Sequence, residues 1–169
     1  MVIILDDVIN LNSSFQSDII EVFQTHKHHT GKTNFNEKWY SLDEDHIFKD
    51  FCLQMMGKSH SYVDLTSCIG YEFWTQNNTR PIGGWHRDKD QQLLKEKGIY
   101  SFPLCSLIYY PFVENVKGGQ LHVEDDIITP KTNRLVILSP GIWHYVREFT
   151  GNRISLLINP WDKTLNNLI

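Results

Sequence analysis

Chemistry in this chain concentrates in two short runs: Gly83-Gly84-Trp85-His86-Arg87-Asp88, and Trp143-His144 followed by Arg153-Ile154-Ser155. In extended backbone, side chains alternate between faces, so His86 and Asp88 point one way and Arg87 the other. An imidazole beside a carboxylate supplies two donors of a 2-His-1-carboxylate site, and His144 offers the third. Such a site suits non-haem Fe(II) and leaves coordination positions open, although zinc, nickel or cobalt accept the same donors. Other readings exist: a surface hydrogen bond for His86-x-Asp88, and a packed core histidine for His144. Arg153 and Ser155 share a strand face. A guanidinium turned into a β interior needs an anion, and arginine grips a carboxylate through two parallel hydrogen bonds. A salt bridge at the rim is the competing reading of Arg153.

These side chains need β-structure to hold them. From Tyr62 onward apolar residues recur with period two, as in Val63, Leu65, Ile69, Tyr71 and Phe73. Further strands are expected over 100–112, 120–124, 134–138, 143–148 and 153–159. Turn signals separate them at Pro81-Ile82-Gly83-Gly84, Gly118-Gly119, Thr129-Pro130, Pro140-Gly141 and Gly151-Asn152. Many short strands without βα alternation point to a β-sandwich or barrel. Residues 90–98 read as a polar loop or one helical turn beside the site.

Ahead of the β-region lie a short strand candidate (2–5) and two amphipathic helices. Ser13-x-x-Gln16 and Ser41-x-x-Glu44 have the form of capping boxes. The first precedes a helix expected over 14–24. The second precedes a stripe of Ile47, Phe48, Phe51, Cys52 and Met55, with Gly57 as the terminating residue. Both stripes are expected to pack on a sheet. The His26-Lys27-His28-His29 run reads as a solvated loop rather than a metal site.

With 169 residues, 41% hydrophobic and 21% charged, the chain is expected to be one globular domain over residues 1–169. A net charge of -4 argues against general binding to nucleic acid or anionic membranes. Cys52, Cys68 and Cys105 form no CxxC pair, which reads as three reduced thiols in a soluble, cytoplasmic protein. No apolar run is long enough for a membrane helix.

Taken in order, His86-x-Asp88, Tyr109-Tyr110, Gly118-Gly119-Gln120-Leu121, His144 and Arg153-x-Ser155 resemble the Fe(II)/2-oxoglutarate dioxygenases, within them the prolyl-hydroxylase-like branch. The resemblance implies a mainly β (α+β) fold, a double-stranded β-helix or jelly roll over 61–169 with helical support from 1–60. It implies Fe(II) on His86, Asp88 and His144, with 2-oxoglutarate and O2 as cosubstrates and ascorbate allowed as a reductant. Arg153 would anchor the distal carboxylate of 2-oxoglutarate, helped by Ser155 and Tyr110; either Tyr109 or Tyr110 is core. Leu121 is expected to line the cavity after the Gly118-Gly119 turn, and Trp74, Trp85 and Trp143 either rim its mouth or pack. Arg87 would steer an acidic substrate or pair with Asp90. Because halogenating relatives carry a small residue at the Asp88 position, hydroxylation is implied. The substrate is a prolyl residue of a peptide or protein, or else a free amino acid or another small molecule. A catalytically silent jelly-roll module that keeps its metal is the non-enzymatic alternative.

One topological condition follows. If 143–148 and 153–159 formed a plain hairpin, His144 would lie about five residues, roughly 16 Å, from the position paired with Arg153. One cosubstrate hardly bridges that gap. In a jelly roll the two strands belong to opposite sheets and meet across one cavity.

Overall fold

The computed structural model describes residues 1–10, 21, 38–76 and 84–165. Apart from Glu21, the helix expected over 14–24 and the His26–His29 run lie outside the described residues. Two antiparallel sheets carry the structure. The larger has the order β1 (Val2–Asp6), β7 (Arg134–Leu138), β4 (Ser106–Gly118), β9 (Phe149–Trp161), β3 (Gly70–Gln76), β2 (Lys38–Ser41). The smaller runs β6 (Asp126–Ile128), β5 (Leu121–Val123), β8 (His144–Val146). This is the mainly β jelly-roll architecture. Residues before 60 contribute two edge strands to the large sheet as well as the helix expected there.

β8 and β9 do belong to opposite sheets. Each sheet face then has its own core. Behind the large sheet, α1 (Lys49–Ser59) buries Phe51, Cys52, Met55 and Met56 against Tyr71, Phe73, Tyr109, Leu156 and Ile158. Between the sheets lie Ile108, Tyr110, Leu121, Val123, Val136 and Leu138. The alternation along β4 and β9 thus divides neighbouring residues between two apolar layers.

Two bulges in β4 adjust that alternation. Tyr109 pairs with Leu156 but Phe112 with Ile154, so β4 spends one extra residue around Pro111. Proline lacks the ladder N–H and is tolerated in a central strand at such a break. The extra residue turns Tyr110 and, beyond it, Val113 to the same inner face, and Val113 lies opposite Arg153. A second shift falls between Glu114 and Lys117, where Asn115 has φ 52°.

Several local expectations give way to tertiary pairing. Ser41 ends β2 opposite Gly70, and Glu44 binds Lys38 at 2.7 Å, so neither caps a helix. The helix begins at Lys49 after Phe48, without a side-chain cap, and Gly57 lies inside it. Ile47 is exposed rather than part of the stripe. Gly151 is not a turn but part of β9, at φ 93°, facing the Asn115 bulge. β4 starts at Ser106, six residues later than expected, and runs on to Gly118. Residues 91–97 form α2, with Asp90 accepting from Leu93 N at 2.8 Å and Gly98 closing the helix at φ 68°.

A Cβ on Gly151 would meet the Asn115 carbonyl oxygen at 2.2 Å, and its φ disfavours any L side chain. Gly151→Ala is therefore expected to lower stability by more than about 1 kcal/mol, measured as a reduced denaturation midpoint. An unchanged midpoint would show that the strand crossing relaxes freely.

Candidate metal centre and its cavity

His86 and His144 face each other across an antiparallel backbone bridge: His86 N donates to the His144 carbonyl at 3.0 Å and His144 N to the His86 carbonyl at 2.9 Å. Directly opposed residues share a sheet face, and the two imidazole centroids lie 4.4 Å apart. The segment is not a strand: only His86 makes a ladder contact, and 87–90 have no regular structure. One bridge still suffices, because Asp88 returns its carboxylate to the same place. Donor atoms of His86, Asp88 and His144 all lie within 4.8 Å of one another, with Asp88 Oδ1 3.8 Å from His144 Nε2.

The surroundings of these donors fit a cation. His86 Nδ1 lies 2.9 Å from the Gly84 carbonyl and His144 Nδ1 3.1 Å from that of Ile142. A carbonyl only accepts, so in each neutral ring the proton sits on Nδ1 and the Nε2 lone pair is left for an ion. Burial lowers the His144 pKa, against the opposing pull of Asp88, and so favours that neutral form. The Ser106 hydroxyl donates to Asp88 Oδ2 at 2.6 Å, leaving Oδ1 for the cluster. Asp90, a nearby carboxylate, is committed elsewhere: it caps α2 and binds Lys163 at 2.7 Å.

A cavity of about 60 Å³ opens between the sheets beside these donors. His86 and His144 line it together with Tyr110, Arg153 and Ser155, and Ile108, Leu121 and Leu157 give it apolar walls. Arg153 is only 3% exposed and has no carboxylate partner among the described residues. Its Nη1 donates to the Gly119 carbonyl at 2.9 Å, the Phe149 ring covers it at 4.3 Å, and its Nε has no partner. Tyr110 Oη, fully buried nearby, is likewise without one. Burial lowers the Arg153 pKa and raises that of Tyr110; arginine still keeps its proton. An acceptor entering this end of the cavity would meet a fixed cation and a phenol donor.

The structure also separates the paired tyrosines. Tyr109 faces the helix-side core and bonds Asn133 at 3.1 Å, whereas Tyr110 faces the cavity. Ser155 lines the cavity while donating to the Gln76 carbonyl at 3.3 Å. Trp74 lines it too, but Trp85 and Trp143 stand outside, both about half exposed. Gly118 and Gly119, at φ 85° and 71°, make the turn into β5 and bring the Gly119 carbonyl to Arg153. Three contributors carry no signal in the sequence. Ser106 sits eighteen positions after Asp88, and nothing local marks its hydroxyl. Arg147 and Phe149 reach the cavity from either side of the β8–β9 crossing.

Neither a scan of protein-family models nor a search of curated proteins gives a match. Solved structures do match. A viral collagen prolyl hydroxylase from Paramecium Bursaria Chlorella virus-1, solved as a 2OG complex, aligns with TM-score 0.60 and 13% identity over 94% of both chains. A Pseudomonas putida prolyl-4-hydroxylase gives 0.62 and 14% over 96% of this chain and 93% of that one. An oxidoreductase of the 2OG-Fe(II) oxygenase family from Burkholderia pseudomallei gives 0.58 and 10%, covering 98% and 87%. This chain has their fold.

Ser106 holds the Asp88 oxygen that the cluster does not use. Ser106→Ala should therefore weaken binding of Fe(II), or of Co(II) as a spectroscopic substitute, by about tenfold or more. Metal titration of the folded apoprotein measures this, and equal affinities would mean that the carboxylate needs no such support.

Proposed function

We propose that this protein is an Fe(II)- and 2-oxoglutarate-dependent oxygenase that hydroxylates an unactivated C–H bond. The observation that carries the reading is Arg153: a buried guanidinium without an acid among the described residues, beside an unpartnered phenol, in a cavity lined by both histidines of a His–Asp–His cluster. A silent metal-binding module has no use for that uncompensated charge, which costs several kcal/mol to bury.

In this reading His86, Asp88 and His144 hold Fe(II), with neutral imidazoles fixed by the Gly84 and Ile142 carbonyls and one carboxylate oxygen fixed by Ser106. Arg153 grips the distal carboxylate of 2-oxoglutarate, Tyr110 donates to it, and Ser155 lines the same end. Gly119 and Phe149 keep the guanidinium aimed at its ligand. Ile108, Leu121 and Leu157 exclude water, which strengthens each charged contact. Iron, 2-oxoglutarate and O2 supply the oxidising chemistry, in which the cosubstrate yields succinate and carbon dioxide and one oxygen atom enters the substrate. Ascorbate serves as an accessory reductant. The leading substrate is a prolyl residue of a peptide or protein, since two of the solved structures sharing the fold are named as prolyl hydroxylases. Three unbridged cysteines suit a reducing compartment.

The anaerobic protein supplied with Fe(II) and 2-oxoglutarate should show a weak visible charge-transfer band. If the band is absent and titration detects no 2-oxoglutarate binding, the oxygenase reading fails. Asp88→Ala, which removes the anionic donor, should sharply weaken Fe(II) binding and abolish hydroxylation while the fold survives; retained activity would move the ligand elsewhere.

Arg153→Lys tests the anchor. It replaces a two-pronged donor by a point charge of different reach. Loss of part of a charge-assisted pair costs about 1.5–3 kcal/mol, so the KM for 2-oxoglutarate should rise roughly ten- to a hundredfold, with Fe(II) binding nearly unchanged. An unchanged KM in steady-state titration would remove Arg153 from the site.

A further inference from the structure

Arg87 stands between two of the proposed ligands without joining them. Its guanidinium carbon lies 4.6 Å from the Trp143 ring, 4.8 Å from Tyr100 and 5.3 Å from Phe102. The enclosure is assembled from three places in the chain: the ligand segment, the stretch after α2, and the turn before β8. Tyr100 and Phe102 stack on each other at 6.0 Å. Gly141, at φ 66°, makes room for Phe102, since a Cβ there would meet that ring at 3.0 Å. Tyr100 is 53% exposed and Trp143 45%, so the assembly stands open to solvent.

What the rings leave uncovered is the hydrogen-bonding edge. Among the described residues the Arg87 guanidinium has neither a hydrogen bond nor a carboxylate within ion-pair distance. Asp90, the partner its sequence position suggests, is held by Lys163 and Leu93 N, and Asp88 is held by Ser106. Aromatic rings attract a guanidinium without consuming its N–H donors. The fork is therefore ordered in advance, and an oxyanion that meets it bears less of the usual cost of immobilising a long side chain. Arg147, exposed at the cavity, has no comparable support.

Resting on the oxygenase reading above, we infer that Arg87, framed by Tyr100, Phe102 and Trp143, binds a carboxylate carried by the substrate and so selects what reaches the metal. Two sources offer that group: an aspartate or glutamate side chain near the target residue of a peptide, or the α-carboxylate of a free amino acid. In a protein of net charge -4, such a local cation also distinguishes acidic substrates from the general repulsion.

The test compares wild type, R87K and R87Q, each supplied with Fe(II), 2-oxoglutarate and ascorbate. The probes are a proline peptide flanked by glutamates, its glutamine counterpart, and free L-proline, with the gain of one oxygen read by mass. Wild type should favour a carboxylate-bearing probe over the glutamine peptide by about tenfold or more in kcat/KM. Preference for the glutamate peptide locates the group on a side chain; preference for L-proline locates it on the α-carboxylate. R87Q should remove the preference through KM, and R87K should restore part of it. An arginine that merely pins the loop would instead slow all probes together and leave their ratio intact, which overturns the inference. If R87Q does not fold, the ratio in R87K decides. Equal oxidation of all three probes by wild type, or oxidation of no probe, also overturns it. The oxygenase reading itself falls only if the charge-transfer band is missing as well.

Discussion

A guanidinium buried between two β-sheets, with no acid beside it among the described residues, sets the terms for the structure around it. Removing a charge from water costs several kcal/mol unless hydrogen bonds and an opposite charge replace the solvent. Arg153 has one carbonyl, from Gly119, and two aromatic rings, Phe149 at 4.3 Å and Tyr110 at 5.8 Å. That is enough to aim the side chain and too little to neutralise it. The cavity in front of it, with Tyr110 Oη also unpartnered, is thus a place where an anionic ligand gains more than it would at the surface.

Placing that charge opposite a metal-binding cluster requires two sheets. β9 presents Arg153 and Ser155 from the large sheet, β8 presents His144 from the small one, and the chain crosses between them within two residues. Tyr109 and Tyr110 take opposite faces in the regular part of β4, and the Pro111 bulge then shifts the phase so that Val113 joins Tyr110 on the inner face while Phe112 joins Tyr109 on the helix side. Each adjustment takes only one or two residues and decides which way the side chains after it face.

The donor cluster depends on the same economy. One backbone bridge aligns the two histidines, and each ring is oriented by a carbonyl two residues earlier in its own segment. Asp88, without a strand to fix it, takes its orientation from Ser106, the first residue of β4. A long-range hydrogen bond thereby substitutes for secondary structure. On the other side of the same segment, the aromatic frame around Arg87 ties the ligand run to the residues after α2.

The sequence by itself marked the residue types and their spacing: His86-x-Asp88, His144, Arg153-x-Ser155, the glycine pair before β5, and the strand pattern of β7. These are legible because period-two alternation and turn chemistry act over a few residues, where neighbours in sequence are neighbours in space. Tertiary structure alone decided the rest. Ser41 and Glu44 satisfy a local capping pattern, yet pairing with β3 and an ion pair to Lys38 claim them first. Gly151 has the chemistry of a turn but serves as the one residue that lets β9 pass Asn115 at close range. Whether Tyr109 or Tyr110 faces the cavity depends on the register of β4 against the distant β7 and β9, and Ser106 finds Asp88 only after β4 is seated between them. Each of these choices is a competition between a local preference of at most about 1–2 kcal/mol and long-range pairing with burial. Such pairings are defined only once the sheets have closed.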